Sequence, residues 1–135
     1  MRQITKSDSC MGLFFMRVTI GLLFLYGGVG KLFGILGGPG IANFSGMVWG
    51  STFLAYFVGI VELVAGIMLI LGIMSRYAAI PLIAILLVAI VHIHIPNDPN
   101  IMGTLIRLAL IGSLLGTTFM GSGGIALKPD TNLKK

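Results

Sequence analysis

The stretch from Gly12 to Gly34 is apolar and long enough to cross a bilayer as a helix, yet it carries Arg17 and Lys31. From Arg17 the chain steps by four, three, four and three through Gly21, Phe24, Gly28 and Lys31, which places all five on one helical stripe. Two cations about 21 Å apart along that stripe cannot face lipid without snorkelling, finding an anion or lining a wet interior. The remaining segments must therefore supply the anion and the cover.

Composition bears on this directly. With 56% hydrophobic and 10% charged residues and a mean hydropathy of +1.04, the 135-residue chain lacks the polar surface of a soluble domain. Three further apolar segments follow, giving expected spans at about 13–35, 52–74, 77–95 and 101–120. The expected architecture is an all-α bundle of four transmembrane helices forming one domain, residues 1–135. Nothing resembling a cleavage site follows the first apolar run, so that span is read as retained. Between spans one and two lies a chargeless segment, GILGGPGIANFSGMVWG, read as an interfacial loop or short amphipathic helix with Trp49 at headgroup depth. A lid over a pocket is the alternative for it. Arg76 and Tyr77 are expected to form a tight reversal, and Pro96–Asn100 a turn.

Basic residues outside the apolar cores are Arg2, Lys6, Arg76, Lys128, Lys134 and Lys135, all on one side of this topology, while the opposite loops carry Asp98 and no cation. The positive-inside rule then puts both termini in the cytoplasm. The net charge of +5 is spread over segment ends rather than gathered into a basic stripe with aromatics, so nucleic acid is not an expected partner. Cys10 is the single cysteine, which excludes an intrachain disulfide and a cysteine metal cluster. It is read as an inert thiol in preference to an acylation site.

Glycine is abundant because helices in lipid associate by close backbone approach rather than by burying apolar area. Gly59 and Gly66 flank Glu62, putting the acid on a thin helix face. Gly30 with Gly34, and Gly112 with Gly116, have small-xxx-small spacing, read mainly as intrachain packing and alternatively as a homodimer face.

Glu62 is the one acid within a span. Counted at about 1.5 Å per residue from each span's midpoint, it lies near mid-bilayer, with Lys31 and His92 about 9 to 10 Å towards the outside, Arg107 about 5 Å outside and Arg17 about 10 Å towards the cytoplasm. An unpaired carboxylate there costs several kcal/mol, so Glu62 is expected to be ionised and bonded to Arg17, Lys31 or Arg107. Two readings stay open: a buried ion-pair network that fixes helix register, or a polar pocket formed by Arg17, Lys31, Glu62, His92, His94 and Arg107. His92 and His94 point about 200° apart on a helix, so no metal site is expected; a histidine there is read either as a protonatable group near the outer surface or as an interfacial polar residue. No nucleophile elbow, phosphate loop, flavin, haem or iron–sulfur motif occurs, and no catalytic residue is assigned.

Arg17 with GLLFLYGGVGKLFG, the GGPG that follows, Glu62 with Gly66, Gly72 and Arg76, His94 and the late GSGG together resemble the DoxX family of small bacterial membrane proteins. The resemblance implies a multi-pass protein of the bacterial plasma membrane with Arg17, Lys31, Glu62 and His94 at matching polar positions. For some relatives it also implies the membrane subunit of a thiosulfate:quinone oxidoreductase, working beside a redox or sulfur-transfer partner. The chain departs from the pattern at Arg107, near where relatives carry an acid, and at Ala126–Asp130, where they often end in Ser-Leu-Asp. The functional expectation is a redox-associated subunit with no cofactor of its own and a quinone or small anion as ligand. A non-enzymatic scaffold or small transporter is the alternative.

Overall fold

The computed structural model describes residues 6–94 and 101–120, and side chains within 11–92 and 101–120. The Pro96–Asn100 turn, Asp98, Arg2, the C-terminal lysines and the side chains of Lys6, Cys10 and His94 lie outside these residues. Helix α1 runs Lys6–Phe33, α2 Gly40–Met47, α3 Thr52–Leu71, α4 Ser75–Ala89 and α5 Ile101–Met120, and a π-helical turn, Ile90–His94, continues α4. Among the described residues, four stretches are long and apolar enough to cross a membrane: Met11–Phe33, Thr52–Leu71, Ser75–His92 and Ile101–Met120. The four-span all-α bundle expected from the sequence is the fold observed.

Helix ends follow backbone chemistry more closely than the apolar count. Gly34 and Gly72 adopt positive φ just past α1 and α3, a conformation that costs glycine little. At Gly72 the amide donates to the Leu69 carbonyl and that of Ile73 to Met68, at 3.3 and 3.0 Å, closing a Schellman motif. The reversal between the second and third spans is therefore made by Gly72–Met74, and Arg76 and Tyr77 lie in the first turn of α4. The hydropathy count overran this boundary because Ile73 and Met74 are apolar although their backbone has left the helix. Ser51 caps α3, its hydroxyl accepting from the Leu54 amide at 3.4 Å.

The central seam joins α1 to α3. A Cβ added to Gly21 would fall 2.8 Å from the Gly66 carbonyl oxygen, and one added to Gly66 would fall 2.9 Å from the Gly21 carbonyl oxygen. Gly28 is similarly close to the backbone at Gly59 and Leu63, at 3.1 Å. Pairing 21 with 66 and 28 with 59 makes the helices antiparallel. Their glycine spacing matches on both sides, so the backbones touch twice. The stripe that begins at Arg17 is thus the face α1 turns towards α3.

Of the small-xxx-small pairs, read mainly as intrachain packing, Gly30 and Gly34 do pack within the chain, but against the segment that follows α1 and not against another span. Gly30 abuts Gly38 of the following loop, Gly34 ends α1 against Gly40, Gly112 has nothing near its missing Cβ, and Gly116 meets only the tip of Met16. Spacing alone does not say which face a pair lies on.

The remaining core, including Ile20, Phe24, Ala65, Leu69, Ala79, Leu82 and Leu114, fills the end of the bundle where α3 turns into α4. Arg76 donates to the Phe119 carbonyl there at 3.4 Å, placing the start of α4 beside the end of α5. Most other large apolar side chains, such as Leu22, Ile60, Val64 and Leu108, face outward, as a bilayer requires. Within the spans Thr19, Ser113, Thr117 and Thr118 each donate a hydroxyl to the carbonyl four residues back, at 2.8 to 3.0 Å, so no polar group of theirs is left to lipid. Exposed aromatics stand at both ends, Phe33, Trp49 and Phe53 at one and Tyr77 and Phe119 at the other, where interfacial rings are favoured, and others such as Phe15, Tyr26 and Phe57 are exposed within the spans.

Candidate functional site

At the end opposite the α3–α4 turn, α1 and α3 bring together one cation and one anion. Lys31 Nζ donates to both carboxylate oxygens of Glu62, at 2.5 and 2.6 Å. The Glu62 side chain is 4% exposed and that of Lys31 25%. The local sequence explains the meeting. Gly27 faces the carboxylate from α1, with Oε2 3.6 Å from where a Cβ would be, an ordinary contact distance. Lys31, one turn further along α1, reaches back to it. Heights counted along helix axes separate the two residues; the long lysine side chain spans the difference.

The segment after α1 closes over this pair. Helix α2 turns Phe44 inward, where it packs with Val48 and Ala55 and against Ile41, Leu54 and Val58. Lys31 Nζ stands 5.0 Å from the centre of the Phe44 ring, so the cation has an aromatic face as well as a carboxylate. Beyond α2, Trp49 takes a positive φ and sets its ring edge to face with His92, centroids 4.3 Å apart. The expected short helix is present, and it also contributes to the roof of a cavity, the role that its sequence left as the alternative.

That cavity has a volume of about 780 Å³. Its polar lining comes from Lys31, Glu62, His92 and Arg107, and its apolar lining from α2, α3 and α4, with Phe57, Val58, Ile85 and Val88 on facing sides. Phe57 and Val88 are also about half exposed, at 55% and 49%, which opens the cleft between α3 and α4 onto the lipid side of the bundle. Near the turn that joins them, Leu69 of α3 and Leu82 of α4 share the buried core. Arg107 donates to the carbonyl of Gly103, on its own helix, at 3.1 Å.

Of the six polar positions expected to share a pocket, these four line one cavity. Arg17 does not: it is buried, 2% exposed, towards the opposite end of α1, with Phe14 packed at 6.0 Å from its guanidinium carbon. Sharing a helical stripe fixed its direction but left it about four turns from Lys31. The His94 backbone belongs to the π turn, and its side chain lies outside the described residues. Among the described residues no three His, Cys, Asp or Glu side chains assemble as metal ligands. Phe44 was missed by sequence reasoning, since a phenylalanine in a chargeless glycine-rich segment carries no sign of the cation it will cover.

The family model for DoxX, compared with the chain, matches residues 12–95. The chain belongs to the DoxX family. Comparison with curated proteins and with solved structures found no match. The DoxX match begins just inside α1 and ends after the π turn, so it takes in Lys31, the α2 roof, Glu62 and His92. Arg107 reaches the cavity from beyond the matched part. This DoxX protein is a multi-pass membrane protein with a mixed polar and apolar cleft.

Proposed function

We propose that this DoxX protein is a redox-associated subunit of the bacterial plasma membrane that holds a quinone in the cleft between α3 and α4, while a partner protein supplies the electrons. Both termini then lie in the cytoplasm, and the cleft occupies the outer half of the bilayer. The observation that carries this reading is the joining of a hydrogen-bonded Lys31–Glu62 floor to apolar walls that open towards lipid. A quinone has an apolar tail suited to Phe57, Ile85 and Val88, and carbonyl oxygens that accept hydrogen bonds from Lys31 or Arg107. A small hydrophilic anion would make no use of those walls. This chain's part is to bind and orient the headgroup, and Glu62 and His92 are groups able to hold a proton beside it. The quinone supplies the two-electron chemistry.

The test is direct binding of a photoreactive quinone analogue to the purified protein in detergent. Labelling is expected on the α3 and α4 segments that contain Phe57 and Val88. Glu62→Gln weakens the site's charge-assisted hydrogen bonding and is expected to change affinity by about tenfold, as the loss of one such bond would. Absence of labelling, or an affinity untouched by Glu62→Gln, removes the basis of the proposal. Cross-linking in the native membrane identifies the partner: a dehydrogenase or sulfur-transfer enzyme fits, whereas pH-dependent flux in proteoliposomes that is lost with Glu62→Ala would make the protein a transporter instead.

A further inference from the structure

Lys31 is the single lysine within a span; the others, at positions 6, 128, 134 and 135, lie towards the chain termini. It lines the cavity, a quarter of its side chain remains accessible, and its nitrogen sits on a carboxylate that is otherwise buried. A carboxylate beside an amine holds it as ammonium at rest, and the same carboxylate is placed to take the proton as the amine adds to a carbonyl carbon and to serve as counter-ion to the iminium that results. The Phe44 ring, 5.0 Å from the nitrogen, favours a cation there whether ammonium or iminium.

From this juxtaposition we infer that the cleft also captures a lipid-soluble aldehyde as a Schiff base on Lys31, with Glu62 as proton acceptor and counter-ion. The inference rests on the reading of this same cleft as a ligand site. Glu62 removes a proton from the Lys31 ammonium along the existing hydrogen bond, and the free amine adds to the aldehyde carbon to give a carbinolamine. The proton then goes to the departing hydroxyl, which leaves as water. The sum is an ammonium and an aldehyde giving a protonated imine and one water, with no change of oxidation state and no other reactant. Apolar walls at Phe57, Val58, Ile85 and Val88 select an aldehyde with a hydrocarbon body over a water-soluble one.

Decanal and cyanoborohydride, applied to the full chain in detergent and followed by peptide mass spectrometry, test this. The expected result is a decyl adduct on Lys31 that outpaces those on the terminal lysines and falls manyfold in Glu62→Gln. Lys31→Arg is expected to leave labelling at the termini alone. Pyridoxal phosphate, a polar aldehyde, is expected to show the reverse preference, marking the termini and sparing Lys31. Both variants being folded at the temperature of the assay separates lost reactivity from lost fold; if either is unfolded there, Val88→Trp, which narrows the cleft without touching the pair, must suppress the Lys31 adduct for the inference to stand. Decanal labelling that favours the terminal lysines overturns it. If the quinone analogue binds while Lys31 stays unlabelled, the aldehyde inference fails alone. If Lys31 is labelled while the quinone analogue does not bind, the quinone reading fails and the inference stands.

Discussion

Helix α3 meets its two neighbours in opposite ways. Towards α1 it presents Gly59 and Gly66 and comes within backbone contact; on the side of the cleft it presents Leu54, Phe57 and Val58, which line a gap of about 780 Å³ whose other wall is α4. Both neighbours are comparably apolar, so hydrophobicity does not explain the difference. In lipid, apolar side chains gain as much from acyl chains as from another helix, and association follows where small residues let main chains approach. The glycine seam closes because nothing stands between the backbones. The cleft stays open because bulky residues hold its sides apart and α2 spans its end.

The sharpest way to break this contrast is to make the seam resemble the cleft. Gly66→Leu has no space, with the Gly21 carbonyl oxygen and the Leu25 amide nitrogen already within 3.0 Å of a new Cβ. It is expected to cost about 3 kcal/mol or more and to abolish a monodisperse peak in size-exclusion chromatography. Next in size is Glu62→Met, which leaves the Lys31 ammonium without its carboxylate in a low-dielectric site. About 3 kcal/mol of stability should be lost, near the low end for a broken buried pair since Lys31 is a quarter exposed. Thermal unfolding in detergent should show much of it restored in the Lys31→Met/Glu62→Met double variant. A third change fills the cleft: Val88→Trp should weaken binding of a quinone analogue at least about tenfold while shifting stability by less than about 1 kcal/mol. The smallest effect is expected of Gly112→Leu, whose new side chain meets open space and should alter stability by no more than about 0.5 kcal/mol. A change in oligomeric state with that variant would show that a second copy of the chain covers the α5 face.

The polar residues separate in the same way by how much of their role is local. Glu62 is legible from the sequence, because a lone carboxylate in an apolar span needs a cation and glycines on either side let one come near. By height alone Arg107 is the nearest cation, with Lys31 and Arg17 about equally far on either side. Only the packing chose Lys31, by setting Gly27 against the carboxylate so that the lysine one turn away could reach it. Phe44 and the Trp49–His92 contact depend on α2 folding back over the bundle, and no spacing in the chain encodes a contact between elements so far apart in sequence.

By itself, then, the sequence determined the membrane environment, the four spans and the need to neutralise a buried acid, since all three follow from hydrocarbon's intolerance of exposed backbone and charge. The tertiary structure alone decided which cation answers that acid, which glycines form the seam, and that Arg17 lies apart from the cleft. Those outcomes depend on the rotation and register of one helix against another, and periodicity along a single helix leaves both undetermined.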